Sequence, residues 1–314
     1  MAVTGQFAEH LAPGIREIVG TRLGGRESYY SQLLNVESSS RNWEEFLAGA
    51  GLPMAVEKPE GQDIQSFDPI EGLKKRVSHT VYGIGFEVSE EADMDDLYKG
   101  QGSALTEAAN GLADSLAEVV EVQAHRMFNS EAFLTSAVPD FMRPLPDVVS
   151  TKSIYSTSHG PITGGEAPGQ ANRPSVDVDL TITSFRAALT AFKRYRNDRN
   201  LRIPSVCYPS RLVVPPELEW DAKEIIGSSN RPDTANLVEN VTKGEVSIVC
   251  DPYCDDTDAW FLLAPKHWLT FLWRQRPKMD SFDDRRKRVA VFVGYQRFSQ
   301  AAVHWLGTYA SQGA

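Results

Sequence analysis

Residues 80–129 read TVYGIGFEVSEEADMDDLYKGQGSALTEAANGLADSLAEVVEVQAHRMFN, and two different apolar periods are written into them. From Thr80 to Ser89, Tyr82, Ile84, Phe86 and Val88 alternate with Val81, Gly83, Gly85 and Glu87. A period of two predicts a strand with one apolar face, and the two glycines on its other face predict close approach of a second backbone. From Ser103 to Asn129 the period changes: Leu105, Ala108, Ala109, Leu112, Leu116, Val119, Val120, Ala124 and Met127 recur at steps of three and four. That spacing predicts an amphipathic helix with a single apolar stripe. At 1.5 Å per residue it would be about 40 Å long, a beam able to cross a whole subunit.

Upstream of this stretch the chain is poorer in apolar residues. Residues 1–40 offer only short groups such as Ile15/Ile18/Val19 and Tyr29/Tyr30/Leu33/Leu34, separated by Gly5, Gly14, Gly20, Gly24 and Gly25. Such a segment cannot make a core of its own, so it is either a loose tail or a strap ordered by lying across something else. Residues 42–80 carry a short amphipathic piece at Trp43, Phe46 and Leu47, then a polar stretch punctuated by Pro53, Pro59, Gly61, Pro69 and Gly72. The reading is an extended hairpin or long excursion, since compact domains seldom hold structureless loops beyond about 12–15 residues.

Downstream, helix and strand patterns mix. Thr183 or Ser184 is the expected N-cap of a helix carrying Phe185, Ala188, Leu189, Phe192 and Tyr195. Ile203–Val214 reads as a strand, and Pro215-Pro216 opens a further helix with Leu218, Ala222, Ile225 and Ile226. Val246–Val249 and Ala259–Leu263 read as two strands of a β-hairpin joined by the turn-rich Asp251–Asp258. Val289–Val293 is apolar on both faces, the pattern of a central buried strand, and an amphiphilic tail follows from Tyr295 to Tyr309.

The 314 residues allow one large domain or two of ordinary size, and 41% hydrophobic with 24% charged residues is a globular proportion. No run approaches the roughly 18 apolar residues of a membrane span, and the first residues lack the basic and apolar regions of a secretory signal. The expectation is a soluble protein folding in a cytoplasm. Three cysteines, Cys207, Cys250 and Cys254, are too few and too odd in number for a disulfide framework, which fits a reducing compartment. A net charge of −10 opposes sequence-independent binding to nucleic acid, because phosphates are held by Lys and Arg.

Candidate chemistry is thin. Cys250 and Cys254 with Asp251, Asp255, Asp256 and Asp258 are metal-ligand types, but the spacing fits neither a zinc motif nor a calcium loop, and hydrogen-bonding aspartates in a turn account for it better. His159 stands among Ser156, Thr157 and Ser158, yet there is no Gly-x-Ser-x-Gly elbow, so a structural histidine is favoured over a nucleophile pair. Gly164–Gly169 is glycine-rich without the Lys-Ser/Thr of a phosphate loop. No catalytic, cofactor or metal site is assigned. The acidic run Glu90–Asp96 and the basic run Arg285–Arg288 are solvated faces or, more sharply, surfaces that meet across a subunit boundary. The tryptophans, Trp43, Trp268, Trp273 and Trp305 among them, serve as core or as interface anchors.

Several phrases, in order, carry a resemblance: HTVYGIGFEVSEEADMDDLY before the long helix, IYSTSHGPITGG after it, RNLRIPSVCYPSRLVVPPELEWDAKEIIGSS, and DPYCDDTDAWFLLAP. Together they resemble the major capsid proteins of tailed phages with the Hong Kong 97-type fold, in particular the Mu-type major head subunit group, over most of the chain. The resemblance implies an α+β fold with an N-terminal arm at 1–40, an extended loop or β-hairpin at 41–89, a peripheral domain at 90–183 and 265–314 with a spine helix at 103–129, and an axial domain at 184–264. It implies no enzyme but a shell subunit that self-associates into hexamers and pentamers. The icosahedral shell encloses double-stranded DNA without sequence-specific binding. A separate scaffolding protein, a portal and a decoration protein are the other expected partners, with no membrane. The place is the virion, and the host cytoplasm during assembly.

On this reading the interface residues expected are Trp43, Lys58, Glu60, Lys74, Lys75 and Arg76 in the loop, Glu90 and Glu91, and Arg285, Arg286 and Arg288. The sequence departs from the group at His304-Trp305-Leu306-Gly307, where an Asp-Trp-Arg-Gly-like phrase is usual. The departure puts any ion pairing at that end in doubt. Some relatives carry a long cleaved N-terminal scaffolding region not present in these residues, so the expectation is a separate scaffolding protein or a sequence that starts after processing; no lysine and asparagine can be assigned to covalent cross-linking. A nanocompartment shell protein of the encapsulin kind is the alternative within the same fold, and a cytoplasmic hydrolase built on His159 or the cysteine and aspartate turn the alternative outside it.

Overall fold

The computed structural model describes residues 7–50, 52–95, 104–145, 152–161, 168–230, 239–284 and 286–313. The chain opens with α1 (Phe7–Gly25) and the single turn α2 (Tyr30–Leu33), then β1 (Asn35–Ser38), β2 (Trp43–Ala50), β3 (Ile70–Ser78) and β4 (Thr80–Ser89). Next come α3 (Glu90–Asp95), the long α4 (Ala104–His125), α5 (Ile182–Phe192), β5 (Arg211–Val214) and α6 (Glu219–Gly227). The last part holds β6 (Ser247–Cys250), β7 (Trp260–Leu263), β8 (Leu269–Asp284), β9 (Val289–Ala302) and β10 (Thr308–Ser311).

Among the described residues these strands form two four-stranded sheets and one hairpin. The long sheet has the order β1-β8-β9-β4, the smaller one β10-β7-β5-β6, and β2 pairs only with β3. In the alternating stretch, the approach anticipated at the glycines is tightest at Gly85: a Cβ there would lie 2.8 Å from both the Phe292 carbonyl oxygen and the Val293 side chain on β9. The stripe of α4 buries Ala109, Leu112, Ala113, Leu116, Val120 and Ala124. It can seat on the sheet because position 294 has no side chain; a Cβ on Gly294 would stand 2.7 Å from Leu116 and 2.8 Å from Leu112. The Gln296 side-chain amide then donates to the Leu116 carbonyl at 2.6 Å.

Of the two readings of the N-terminal segment, the ordered one is seen over residues 7–40. Ala12, Ile15 and Val19 of α1 pack with Leu112, Leu116 and Phe292, so α1 lies over α4 and the long sheet. Burying a side chain such as Ile15 contributes about 1.5–3 kcal/mol, enough to hold a helix that contains Pro13 and Gly14 and would be marginal alone. The far end of α4 enters a larger core in which Val120, Ala124, Met127 and Phe128 meet Phe261 of the small sheet and Phe271 and Phe298 of the long one. A second core, with Phe185, Phe192, Leu212, Ile225, Trp260 and Leu262, gathers α5 and α6 against the small sheet.

The structure corrects several expected elements. The N-cap of α5 is Thr181, whose hydroxyl accepts from the Ser184 amide while the Ser184 hydroxyl accepts from the Thr181 amide. Only residues 211–214 of the 203–214 stretch form a strand, preceded by a 3-10 turn at Pro204–Val206. β6 and β7 are not a hairpin: β5 lies between them, parallel to β6 and antiparallel to β7. The wholly apolar Leu212-Val213-Val214 takes the protected central place. β9 runs through to Ala302, and its burial alternates over Val289–Val293 because α4 covers one face only. The segment 41–89 divides between two sheets, since β4 pairs with β9 from Thr80↔Phe298 to Ser89↔Val289. Ser103 lies outside the described residues, and α4 passes into a 3-10 turn at Arg126–Phe128.

Candidate assembly surface

The hairpin projects from a root whose residues are tied down one by one. Trp43 pairs with Ser78 and Phe46 with Lys75, with a bulge between Leu47 and Gly49. The Arg76 guanidinium lies 4.1 Å from the centre of the Trp43 ring, a cation–π contact on the hairpin face. Lys75 is buried, and its ammonium donates to the carbonyls of Phe141 at 3.1 Å, Arg143 at 2.6 Å and Ala302 at 2.7 Å. Burial pulls Lys75 down to about 7, with Asp140 opposing and Arg143 assisting. Beside it, His79 bridges the Ser299 hydroxyl at 2.9 Å and the Ser39 hydroxyl at 3.0 Å, and Ser39 donates to Glu44 at 2.6 Å.

Beyond the root the hairpin is the most apolar exposed part of the described chain. Leu47, Leu52, Met54, Val56, Ile64 and Phe67 all face solvent, Met54 at 73% and Ile64 at 79% exposure. Single exposed apolar residues need no explanation, but six within one excursion form a surface that asks for a partner. Lys58 and Glu60 stand exposed among them, next to Gly61 with φ +82°, where the Gln62 amide donates to the Pro59 carbonyl at 3.2 Å. Just before the returning strand, Arg199 donates to the Asp68 carbonyl at 3.1 Å.

The expected interface residues therefore have different surroundings. Trp43 and Arg76 stack on each other, Lys74 is exposed, and Lys75 serves the root of its own hairpin and offers no charge to a neighbour. The two charge runs meet inside one chain: Arg288 pairs with Glu90 at 2.5 Å, and the Glu90 amide donates to the Arg288 carbonyl at 3.1 Å. Arg288 has φ +54°, a left-handed turn residue closing β8 onto β9. Glu91 and Arg286 are exposed at this corner, and Arg285 lies outside the described residues.

The side chains weighed for chemistry have other employment. His159 is buried, stacked on Trp305 at 4.7 Å between ring centres, with Nε2 2.9 Å from the Asn172 side-chain oxygen. In the 251–258 turn the Asp255 carboxylate accepts from the Ser130 amide and hydroxyl, and Asp256 accepts from the Asp258 amide. Among the described residues there is no group of three or more side chains placed to hold a metal ion. None of their helices is long and apolar enough to cross a membrane.

Sequence reasoning missed one polar site. Glu121, His125 and Asp251 are buried together, His125 Nε2 lying 3.1 Å from Asp251 and Nδ1 2.6 Å from the Glu121 carbonyl oxygen. The signal available was weak: Glu121 and His125 stand four apart, on the same side of the helix as the apolar stripe.

A phage capsid protein family model matches residues 73–311. No curated protein matches the sequence. Among solved structures, one from Microbacterium phage Oxtober96 is 9% identical with a TM-score of 0.55, covering 92% of each chain. The capsid of cyanophage P-SCSP1u is 10% identical with a TM-score of 0.57, covering 92% of this chain and 89% of that one. A virus-like particle from Pyrococcus furiosus is 8% identical with a TM-score of 0.51, covering 95% and 97%.

Proposed function

Since this chain belongs to the phage capsid protein family, we propose that it is the tile of a tailed-phage head, self-associating into hexamers and pentamers that close an icosahedral shell around double-stranded DNA. Its fold is the mixed α and β Hong Kong 97-type capsid fold. The observation that supports the assembly reading best is the apolar excursion between β2 and β3: an anchored root and an exposed tip are what a device for gripping a second copy requires. We assign residues 1–40 to the arm, 41–78 to the extended loop, and 184–264 with β10 to the axial part. The long sheet, including β4, and the spine helix α4 go to the peripheral part.

Each contact between tiles need only be modest, because a subunit held at one edge is already presented to the others. The acidic net charge suits a wall past which DNA slides during packaging and ejection. A separate scaffolding protein, a portal and a decoration protein complete the assembly we infer, with the host cytoplasm as its site. Catalysis has no part in this reading. A second reading within the same fold, a compartment that encloses a protein cargo instead of DNA, has only the likeness of fold to the Pyrococcus furiosus virus-like particle behind it.

Expression with and without neighbouring head genes, followed by negative-stain microscopy, tests the proposal. Closed shells that acquire nuclease-protected DNA support the phage head. Shells holding only a co-expressed enzyme support the compartment. Monomers under every condition, scaffold included, would refute both.

A further inference from the structure

The end of α4 touches two segments distant in sequence. On the N-terminal side, the amides of Tyr29 and Tyr30 donate to the two oxygens of the Glu121 carboxylate at 3.1 and 2.9 Å. On the other side, Asp251 opens the turn after β6, is fully buried, and accepts from the Tyr253 amide at 2.9 Å. His125 stands between the two carboxylates, 3.6 Å from Glu121 and 3.1 Å from Asp251. We propose that Glu121, His125 and Asp251 form a proton-operated latch, fastening the N-terminal segment and the 251–258 turn to the end of the spine helix at the same time.

The charges around the imidazole make protonation the deciding event. Its own helix contributes Glu121 and, one turn further back, Glu118. From the N-terminal segment comes Arg26, which pairs with Glu118 and donates to the Tyr253 hydroxyl at 3.1 Å. From the turn come Asp251, the Tyr253 ring at 4.8 Å and the Cys254 thiol, 3.5 Å from Asp251. Cys250 lies at the start of the same turn. Arg26 serves the outer carboxylate Glu118, so the imidazolium is the cation placed to offset Asp251, and a buried carboxylate that loses its cation is strongly destabilised. Burial alone would lower His125; Asp251, then Glu121, outweighs it, and the net direction is upward. Burial raises Glu121, while the Tyr30 amide, His125 and the Tyr29 amide pull against it.

The sign follows. A histidine raised above its ordinary 6.5 adds stability that is complete below that value and is lost as pH climbs through the raised one. The latch is therefore closed at acid pH and opens as pH climbs through the raised value above 6.5, releasing both segments together. If residues 1–40 also serve as the inter-subunit arm, a matter resting on the reading above, the same proton decides whether the arm's root stays on its own spine.

Hydrogen exchange of the full-length subunit, between about pH 6 and 9, reads the latch at three amides: Tyr29 and Tyr30 on one side, Tyr253 on the other. Protection factors at all three should fall together on one midpoint above 6.5. His125→Gln keeps a hydrogen-bonding side chain but not the charge; it should show lower protection and no midpoint in that window. Asp251→Asn should move the midpoint at Tyr29 and Tyr30 downward, although it touches neither. Wild-type amides that stay level, or that change at separate midpoints, would overturn the latch even if both variants failed to fold. Because the measurement is made within one subunit, it stands or falls independently of shell assembly.

Discussion

An ammonium group without water is tolerable at position 75 because three carbonyls converge on it, and that makes Lys75 a reporter for the hairpin root. With the folded-state value near 7 and the ordinary one at 10.5, the unfolded chain binds more protons between them. Stability contributed at this residue should therefore rise with pH across that window and be level below it. Urea midpoints measured from pH 6 to 10, wild type minus Lys75→Met, isolate the effect; parallel curves would contradict it. Replacing Lys75 by alanine strips the donor from three carbonyls, the Ala302 one buried and those of Phe141 and Arg143 half-buried, and should cost about 2–4 kcal/mol by the same assay. At Gly294 the test is steric: Gly294→Val drives a side chain into Leu112 and Leu116 and should cost about 1–3 kcal/mol, seen as a lowered Tm. Neither residue's role was legible beforehand. A lysine in a run of three basic residues reads as surface, and only the fold reveals that β3 turns its alternate side chains inward.

The element least predictable from local pattern is α1. Its apolar groups were visible, but its glycines and Pro13 weigh against a helix when propensity is all there is. What decides it is burial against α4, a long-range contact that no local pattern contains. Ile15→Ala should then destabilise the isolated subunit by about 2–4 kcal/mol in chemical denaturation, whereas a loose tail would make the change neutral. β8 was hidden for a related reason: after Trp273 it runs Arg274-Gln275-Arg276-Pro277-Lys278, which alternates in no apolar sense, and its register with β9 shifts twice there. β4 and α4, by contrast, were plain from periodicity because each buries a single face. The misplaced hairpin of β6 and β7 shows the limit of adjacency: neighbours in sequence were separated by a strand that needed the middle of the sheet more.

For the molecule as a whole, the sequence carried the mixed fold and, through its ordered phrases, the family, while the surface that joins tiles remained out of reach. Within one chain, Glu90 and Arg288 satisfy each other, Lys75 is internal, and the exposed character of the hairpin comes from Met54, Val56 and Ile64, which carry no charge. Apolar side chains without a local partner are invisible to pattern reading until the core has been filled and they are seen left over. We propose that this leftover surface is where one subunit grips the next. Met54→Asp with Ile64→Asp, expressed with the head genes and examined by sedimentation and negative-stain microscopy, tests it most directly. Subunits whose unfolding stays within about 0.5 kcal/mol of wild type but which form no closed shells are the predicted result. Normal shells from the double variant would contradict it.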